Sequence, residues 1–206
     1  LYRCLALDFL YPAPQDLVTF ADNHDMDRIY ARIGEDLERW KMAMAYLMVT
    51  RGIPQIFYGT EVLISNGDDP KHGVIRADMP GGWPDDPVSA FTGEGLDEEQ
   101  LQAQEYLQSL LQWRKGKSVI HTGHTLHFVP EDAQGIYTLF RYDDENIVML
   151  VLNTSDEKKS IPLEKYDELL QGIEEGRDVL NDSEIDLKSG ALSLSADSVL
   201  ILEMNH

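Results

Sequence analysis

The sequence predicts an α/β segment with parallel strands followed by an all-β antiparallel sandwich, and three observations carry that reading. Two short apolar runs, "LVTFA" at 17–21 and "IPQIFY" at 53–58, flank a helical stripe, the order expected of parallel strands joined by a crossover. A second helical stripe follows at 97–115. From about Ser118 the chain alternates short β-rich runs with turn clusters and shows no long helix, which is the pattern of a sandwich.

Taken in order, "LYRCLALDFLYPAP" reads as the end of a helix broken by Pro12 and Pro14. Leu17 to Ala21 reads as a strand whose β-prone residues give way abruptly to the polar run "DNHDMDR". Leu37, Trp40, Met44, Leu47 and Met48 recur three to four apart and predict a helix with an apolar face, closed by Gly52 and Pro54. Ile53 to Tyr58 is almost continuously apolar, as expected of a strand covered on both faces. Residues 65–96 carry too many glycines and prolines for regular structure, and compact domains seldom keep so long a loop without a functional reason. The helix at 97–115 places Ala103, Leu107, Leu110 and Leu111 on one stripe and stops at Gly116. A domain boundary is therefore expected near 118, giving segments 1–118 and 119–206. The runs "TLHFV", "GIYTLFRY", "IVMLVLNT", "KSIPL", "RDVL", "ALSLS" and "SVLILEM" supply the sandwich strands, with a hairpin turn at Asp144 to Asn146. The acidic patch "DELLQGIEEGRD" reads as a solvated helix or loop face.

Composition narrows the partners. Seventeen Lys and Arg against 37 Asp and Glu give a formal charge of −20, which repels phosphate backbones and anionic lipid surfaces and argues against nucleic acid as a partner. No apolar run approaches the roughly 20 residues of a membrane span. The single cysteine, Cys4, has no partner for an internal disulfide and leaves the redox compartment open.

Parallel α/β architectures bind ligands at the carboxyl ends of their strands. After the first strand come Asp22, Asn23, His24, Asp25, Asp27 and Arg28; after the second come Tyr58, Gly59, Thr60 and Glu61. A carboxylate beside an imidazole at a rigid strand end suits hydrogen bonding to sugar hydroxyls and stabilisation of a developing positive charge. The bland alternative is that Asn-His-Asp is a turn or cap, the commoner use of that tripeptide. A single histidine among carboxylates is weak evidence for zinc. Asp68-Asp69 and Asp85-Asp86 could offer oxygens to calcium, but each pair precedes a proline and reads as turn chemistry. His72, His121, His124 and His127 read as surface or turn residues, and Trp83 and Phe91 as either a ligand platform or loop anchors.

"FADNHDMDR", followed about thirty residues later by "GIPQIFYGTEV", resembles two signature regions of the α-amylase superfamily, glycoside hydrolase family 13. The loop "HGVIRADMPGGWPDDPVSAFTGEGL" further resembles the neopullulanase and cyclomaltodextrinase-like branch. The resemblance covers residues 1–118, and implies that the chain carries strands seven and eight of a (β/α)8 TIM barrel followed by the family's C-terminal β-sandwich. It implies that Asp25 is the carboxylate that stabilises the transition state. His24, Asn23, Arg28, Arg76, Asp78 and Trp83 are implied substrate-binding residues, with Arg28 at the rim of the site. By the same resemblance, Tyr58, Gly59 and Glu61 are implied to shape the end of the last barrel strand.

The motifs that carry the nucleophile and general acid of a retaining hydrolase are not among these 206 residues. The chain is thus expected to be the C-terminal portion of an enzyme acting on α-glucosidic bonds of starch-like oligosaccharides, cyclodextrins or pullulan, and inactive by itself. Its exposed barrel strands are expected to self-associate, while the sandwich is expected to fold alone. The implied partner is an α-glucan oligosaccharide; no cofactor is required, and Ca2+ is left open. A periplasmic or extracellular location is expected, with the cytoplasm as the alternative. The competing classes are a non-catalytic carbohydrate-binding or structural module and a transglycosylase or isomerase of the same superfamily.

Overall fold

A computed structural model describes residues 1–130 and 135–205. The first part consists of helix α1 (Tyr2–Ala6), strand β1 (Val18–Thr19), helices α2 (Ile29–Arg32) and α3 (Leu37–Val49), strand β2 (Ile53–Pro54), and helices α4 (His72–Ile75), α5 (Glu98–Lys115) and α6 (Ser118–Thr122). The second consists of β3 (His124–His127), β4 (Ile136–Tyr142), β5 (Asn146–Asn153), β6 (Lys159–Pro162), helix α7 (Asp167–Leu170), β7 (Glu175–Asp178), β8 (Ser183–Asp186), β9 (Ala191–Leu194) and β10 (Ser198–Asn205).

β1 and β2 run parallel, with Val18 opposite Ile53 and Thr19 opposite Pro54. Each regular strand is shorter than its apolar run because the ladder lasts only as long as a partner lies beside it. Val18 and Ile53 are 52% and 55% exposed, so this lone pair leaves apolar surface open. Gly52 makes the pairing feasible. Its φ is +103°, and a Cβ there would meet the Leu17 carbonyl oxygen at 2.6 Å, so any other residue would push the strands apart.

Both long helices start where their caps dictate. Asp36 accepts the Arg39 backbone N–H at α3, and Asp97 and Gln100 form a reciprocal capping box at α5. On α3 the expected face is buried at Trp40, Met44, Leu47 and Met48, joined by Met42, Ala45 and Val49. On α5, Ala103, Leu107 and Leu110 are buried, while Leu111 turns outward at 41% exposure.

The strands of the second part form a six-stranded sheet in the order β3-β4-β5-β10-β7-β8 and a two-stranded sheet of β6 and β9. β5 explains why its run is apolar at every position. Ile147, Met149 and Val151 face Ile161, Leu192 and Leu194 of the small sheet, while Val148, Leu150 and Leu152 face the core shared with α3 and α5. The sandwich is therefore not self-contained as expected: separated from α3 and α5, it would expose Tyr137, Leu139, Val148, Leu150, Leu152 and Ile201 together. The acidic patch at 167–178 is likewise only half solvated, since its Leu169 and Leu170 belong to the core between the two sheets. The β4–β5 turn is held by Asp143, whose Oδ1 accepts the backbone N–H groups of Glu145 and Asn146.

Candidate active site at the end of the parallel strand pair

The polar run after β1 divides into an inner, enclosed half and an outer, open half. Asp22 is 2% exposed and accepts the Ile29 backbone N–H at 2.9 Å and the Thr60 hydroxyl at 3.1 Å, joining the ends of the two strands. Burial raises its pKa, opposed by those two hydrogen bonds and by the charge of Arg28.

Arg28 corrects the reading from sequence. It is not at the rim: its exposure is 0%, and its guanidinium donates from Nε to the Ile75 carbonyl at 2.8 Å and from Nη1 to the Tyr58 carbonyl at 2.5 Å. Its Cζ lies 3.9 Å from the centre of the Phe57 ring. The backbone N–H of Arg28 donates to Asn66 Oδ1 at 2.8 Å, and Asn66 in turn donates to Asp27 and to the Asp69 carbonyl. One enclosed cation thus ties the strand-end turn, the end of β2 and the long loop together. Nothing in the sequence of "DNHDMDR" marks this position as interior, because the groups that surround it come from residues 57–75.

The outer half is open. The Asp25 and His24 side chains are 63% and 62% exposed, and His24 Nε2 lies 3.2 Å from Asp25 Oδ2. Asn23 shapes the turn, its Oδ1 accepting the Asp25 backbone N–H at 2.8 Å. Arg76 reaches across from the loop, donating from Nη2 to Asp25 Oδ1 at 2.9 Å and from Nε to the His24 carbonyl at 3.0 Å. His72 joins this group, with Nδ1 at 2.7 Å from Arg76 Nη2 and 4.0 Å from Asp25 Oδ1. His72 is a surface residue, as its sequence context suggests, and only its spacing of four from Arg76 could have pointed to a pairing across one helical turn.

Farther along the loop, Trp83 Nε1 donates to Asp78 Oδ2 at 3.3 Å, so these two expected residues meet each other. Trp83 and Phe91 are 64% and 72% exposed, so neither ring is packed into the domain. Two further histidines make contacts elsewhere: His127 stacks on Tyr2 with ring centroids 4.6 Å apart, and His121 Nε2 lies 3.0 Å from the Arg114 carbonyl. Burial lowers the pKa of His127.

One aspartate of each pair considered for calcium holds a turn. Asp69 accepts the Lys71 backbone N–H, and Asp86 accepts those of Gly81 and Trp83. Among the described residues no three acidic, histidine or cysteine side chains are grouped to hold a metal. Nor is any helix long and apolar enough to cross a membrane.

Comparison with known proteins bears on the family and the fold. Residues 11–134 match the α-amylase catalytic domain, and residues 125–203 match the cyclo-malto-dextrinase C-terminal domain. A maltogenic α-amylase of Bacillus acidopullulyticus is 26% identical over 201 residues, covering 94% of this chain and 30% of that protein. A cyclomaltodextrin glucanotransferase of Bacillus sp. (strain 1011) is 41% identical over 70 residues, covering 34% of this chain and 9% of that protein. Among solved structures, an Anoxybacillus α-amylase superposes with a TM-score of 0.77 at 23% identity, covering 99% of this chain and 41% of that one. The α-amylase of Geobacillus thermoleovorans, solved with acarbose, gives 0.76 at 22% identity, covering 100% of this chain and 42% of that one. The chain spans 30% of the length of the maltogenic amylase. Its fold is that of the closing strands of a (β/α)8 barrel with an attached β-sandwich. With the catalytic-domain match running over residues 11–134, the chain belongs to the α-amylase family.

Proposed function

We propose that this chain supplies the transition-state-stabilising side of a retaining glycoside hydrolase that cleaves α-glucosidic bonds in starch-like oligosaccharides, cyclodextrins or pullulan. The observation that carries the reading is the exposed Asp25 carboxylate, fixed at the carboxyl end of a parallel strand pair between the His24 imidazole and the Arg76 guanidinium. As the glycosidic bond breaks, positive charge builds on the sugar ring, and a fixed carboxylate beside it lowers the barrier without having to reorganise. In this reading His24 bonds a hydroxyl of the same sugar, and the exposed Trp83 offers a ring for stacking on the acceptor side. Asp78 steadies that ring through its indole N–H. The nucleophile and general acid belong to other parts of the protein, and the domain boundary between 118 and 119 is part of the same proposal.

Asp25→Asn in the full-length protein is the test. It removes charge with almost no change in volume, and turnover of maltooligosaccharides is expected to fall by about 10²–10³-fold or more with the thermal midpoint retained. Retained turnover would remove Asp25 from the mechanism. The isolated 206-residue chain is expected to release no reducing sugar; enzyme-like release would refute the division of the site.

Two observations support other readings. The likeness to cyclomaltodextrin glucanotransferases favours transfer to a sugar acceptor, which product analysis of the full-length protein separates from hydrolysis. The exposed Trp83 and Phe91 favour glucan binding without chemistry, which calorimetry with maltoheptaose would show as binding unaffected by Asp25→Asn.

A further inference from the structure

We propose that Arg76 is a positioning residue for Asp25 and that His72 aims it; the proposal rests on the role given to Asp25 above. The arginine makes two contacts with neighbouring parts of one turn. Its Nε donates to the His24 carbonyl at 3.0 Å and its Nη2 to Asp25 Oδ1 at 2.9 Å. A guanidinium is a rigid fork, so these two bonds together fix the carboxylate relative to the backbone of the residue before it. A point charge could neutralise Asp25 but could not set that relation.

The base of the arginine is fixed on both sides. The Ile75 carbonyl accepts from the enclosed Arg28, and the Ala77 carbonyl accepts from the Tyr58 hydroxyl at 3.0 Å. Arg76 therefore projects from a short stretch of chain whose two flanking residues are tied to Arg28 of the turn after β1 and to Tyr58 beyond β2. His72, one turn back on α4, completes the support with Nδ1 at 2.7 Å from Nη2. Since a guanidinium only donates, Nδ1 must be the accepting nitrogen, which puts the ring proton of the neutral imidazole on Nε2.

Arg76 and Asp25 have side chains 44% and 63% exposed, and an ion pair that open contributes little to stability. Its value lies in orientation. With Oδ1 held by Arg76 and Oδ2 facing His24, the carboxylate presents one plane to an arriving sugar instead of rotating about its own bond.

The experiment is steady-state kinetics of the full-length enzyme on maltoheptaose. Arg76→Ala is expected to lower kcat about 10–100-fold while KM stays within about threefold, the mark of lost alignment rather than lost ground-state binding. Arg76→Lys is expected to recover only part of kcat, because one ammonium cannot serve both acceptors, and His72→Ala to lower kcat by a smaller factor. Added guanidinium is expected to restore part of the kcat of Arg76→Ala. A raised KM with unchanged kcat would overturn the proposal by making Arg76 a substrate contact. Full kcat in Arg76→Lys would overturn the fork. Should Arg76→Ala fail to fold, the charge-retaining Lys variant decides by the same kcat and KM split. An inactive wild type, or an active Asp25→Asn, removes the reading of Asp25. An active wild type with a dead Asp25→Asn and an unimpaired Arg76→Ala removes only the role of Arg76.

Discussion

Removing the enclosed cation tests the organisation of the site most directly. Arg28→Met keeps an unbranched apolar stem against Phe57 but strands the Ile75 and Tyr58 carbonyls that the guanidinium now satisfies. Hydrogen bonds from a charged donor are worth about 1.5–3 kcal/mol each, and Asp22 loses its nearest countercharge as well. Against this, the methionine removes the cost of keeping a guanidinium at 0% exposure. Breaking one side of such a buried arrangement costs about 3–5 kcal/mol, which for a protein of this size lowers the thermal midpoint by roughly 6–20 °C. Urea unfolding followed by tryptophan fluorescence measures the change, with Trp40 at 0% exposure as the reporter of the core. Arg28→Lys should lose less, since the ammonium can still reach one carbonyl. A stability for Arg28→Met within about 0.5 kcal/mol of the parent would show that the strand-end turn, β2 and the loop are held by something other than Arg28.

Three further outcomes are expected. Burial raises the Asp22 pKa above 3.8, so the folded state holds that proton more tightly than the unfolded chain does. Stability relative to Asp22→Asn should thus fall as pH rises from about 4 through the raised value, and an opposite slope in pH-dependent unfolding would refute the dominance of burial. His127 has its pKa lowered below 6.5, so its contribution is intact above 6.5 and is lost as pH falls through the lowered value; His127→Phe should flatten that stretch of the stability profile. Leu150→Ala removes a side chain at 0% exposure from the core shared by β5, α3 and α5 and should cost about 2–5 kcal/mol in urea unfolding, a loss below about 1 kcal/mol meaning that sheet and helices are only loosely joined.

Local and periodic features were legible in the sequence because the residues that decide them are neighbours. The helices at 37–49 and 98–115 follow from apolar spacing, while their caps at Asp36 and Asp97 came from the structure. The turn after β4 follows from "DDEN", and the polar turn at 22–25 from a polar run set abruptly against an apolar one. The strand lengths were overestimated because an apolar run states what a segment can bury, whereas a ladder also needs a partner beside it. The independence of the sandwich was overestimated for a related reason: an uninterrupted apolar strand such as 147–152 is compatible with two covered faces, but its sequence does not name what covers the second.

By itself the sequence determined that a carboxylate and an imidazole stand at a strand end, that two helices present apolar stripes, and that the chain is strongly acidic. Tertiary structure alone decided that Arg28 is interior while Asp25, three residues earlier, is open, and that His72 and Arg76 cross the loop to meet Asp25. The reason is physical. Burial and ion pairing depend on groups brought from distant segments, here the carbonyls of Tyr58 and Ile75 around Arg28 and the guanidinium of Arg76 beside Asp25, and those meet only when the strand-end turn and the loop have folded onto each other.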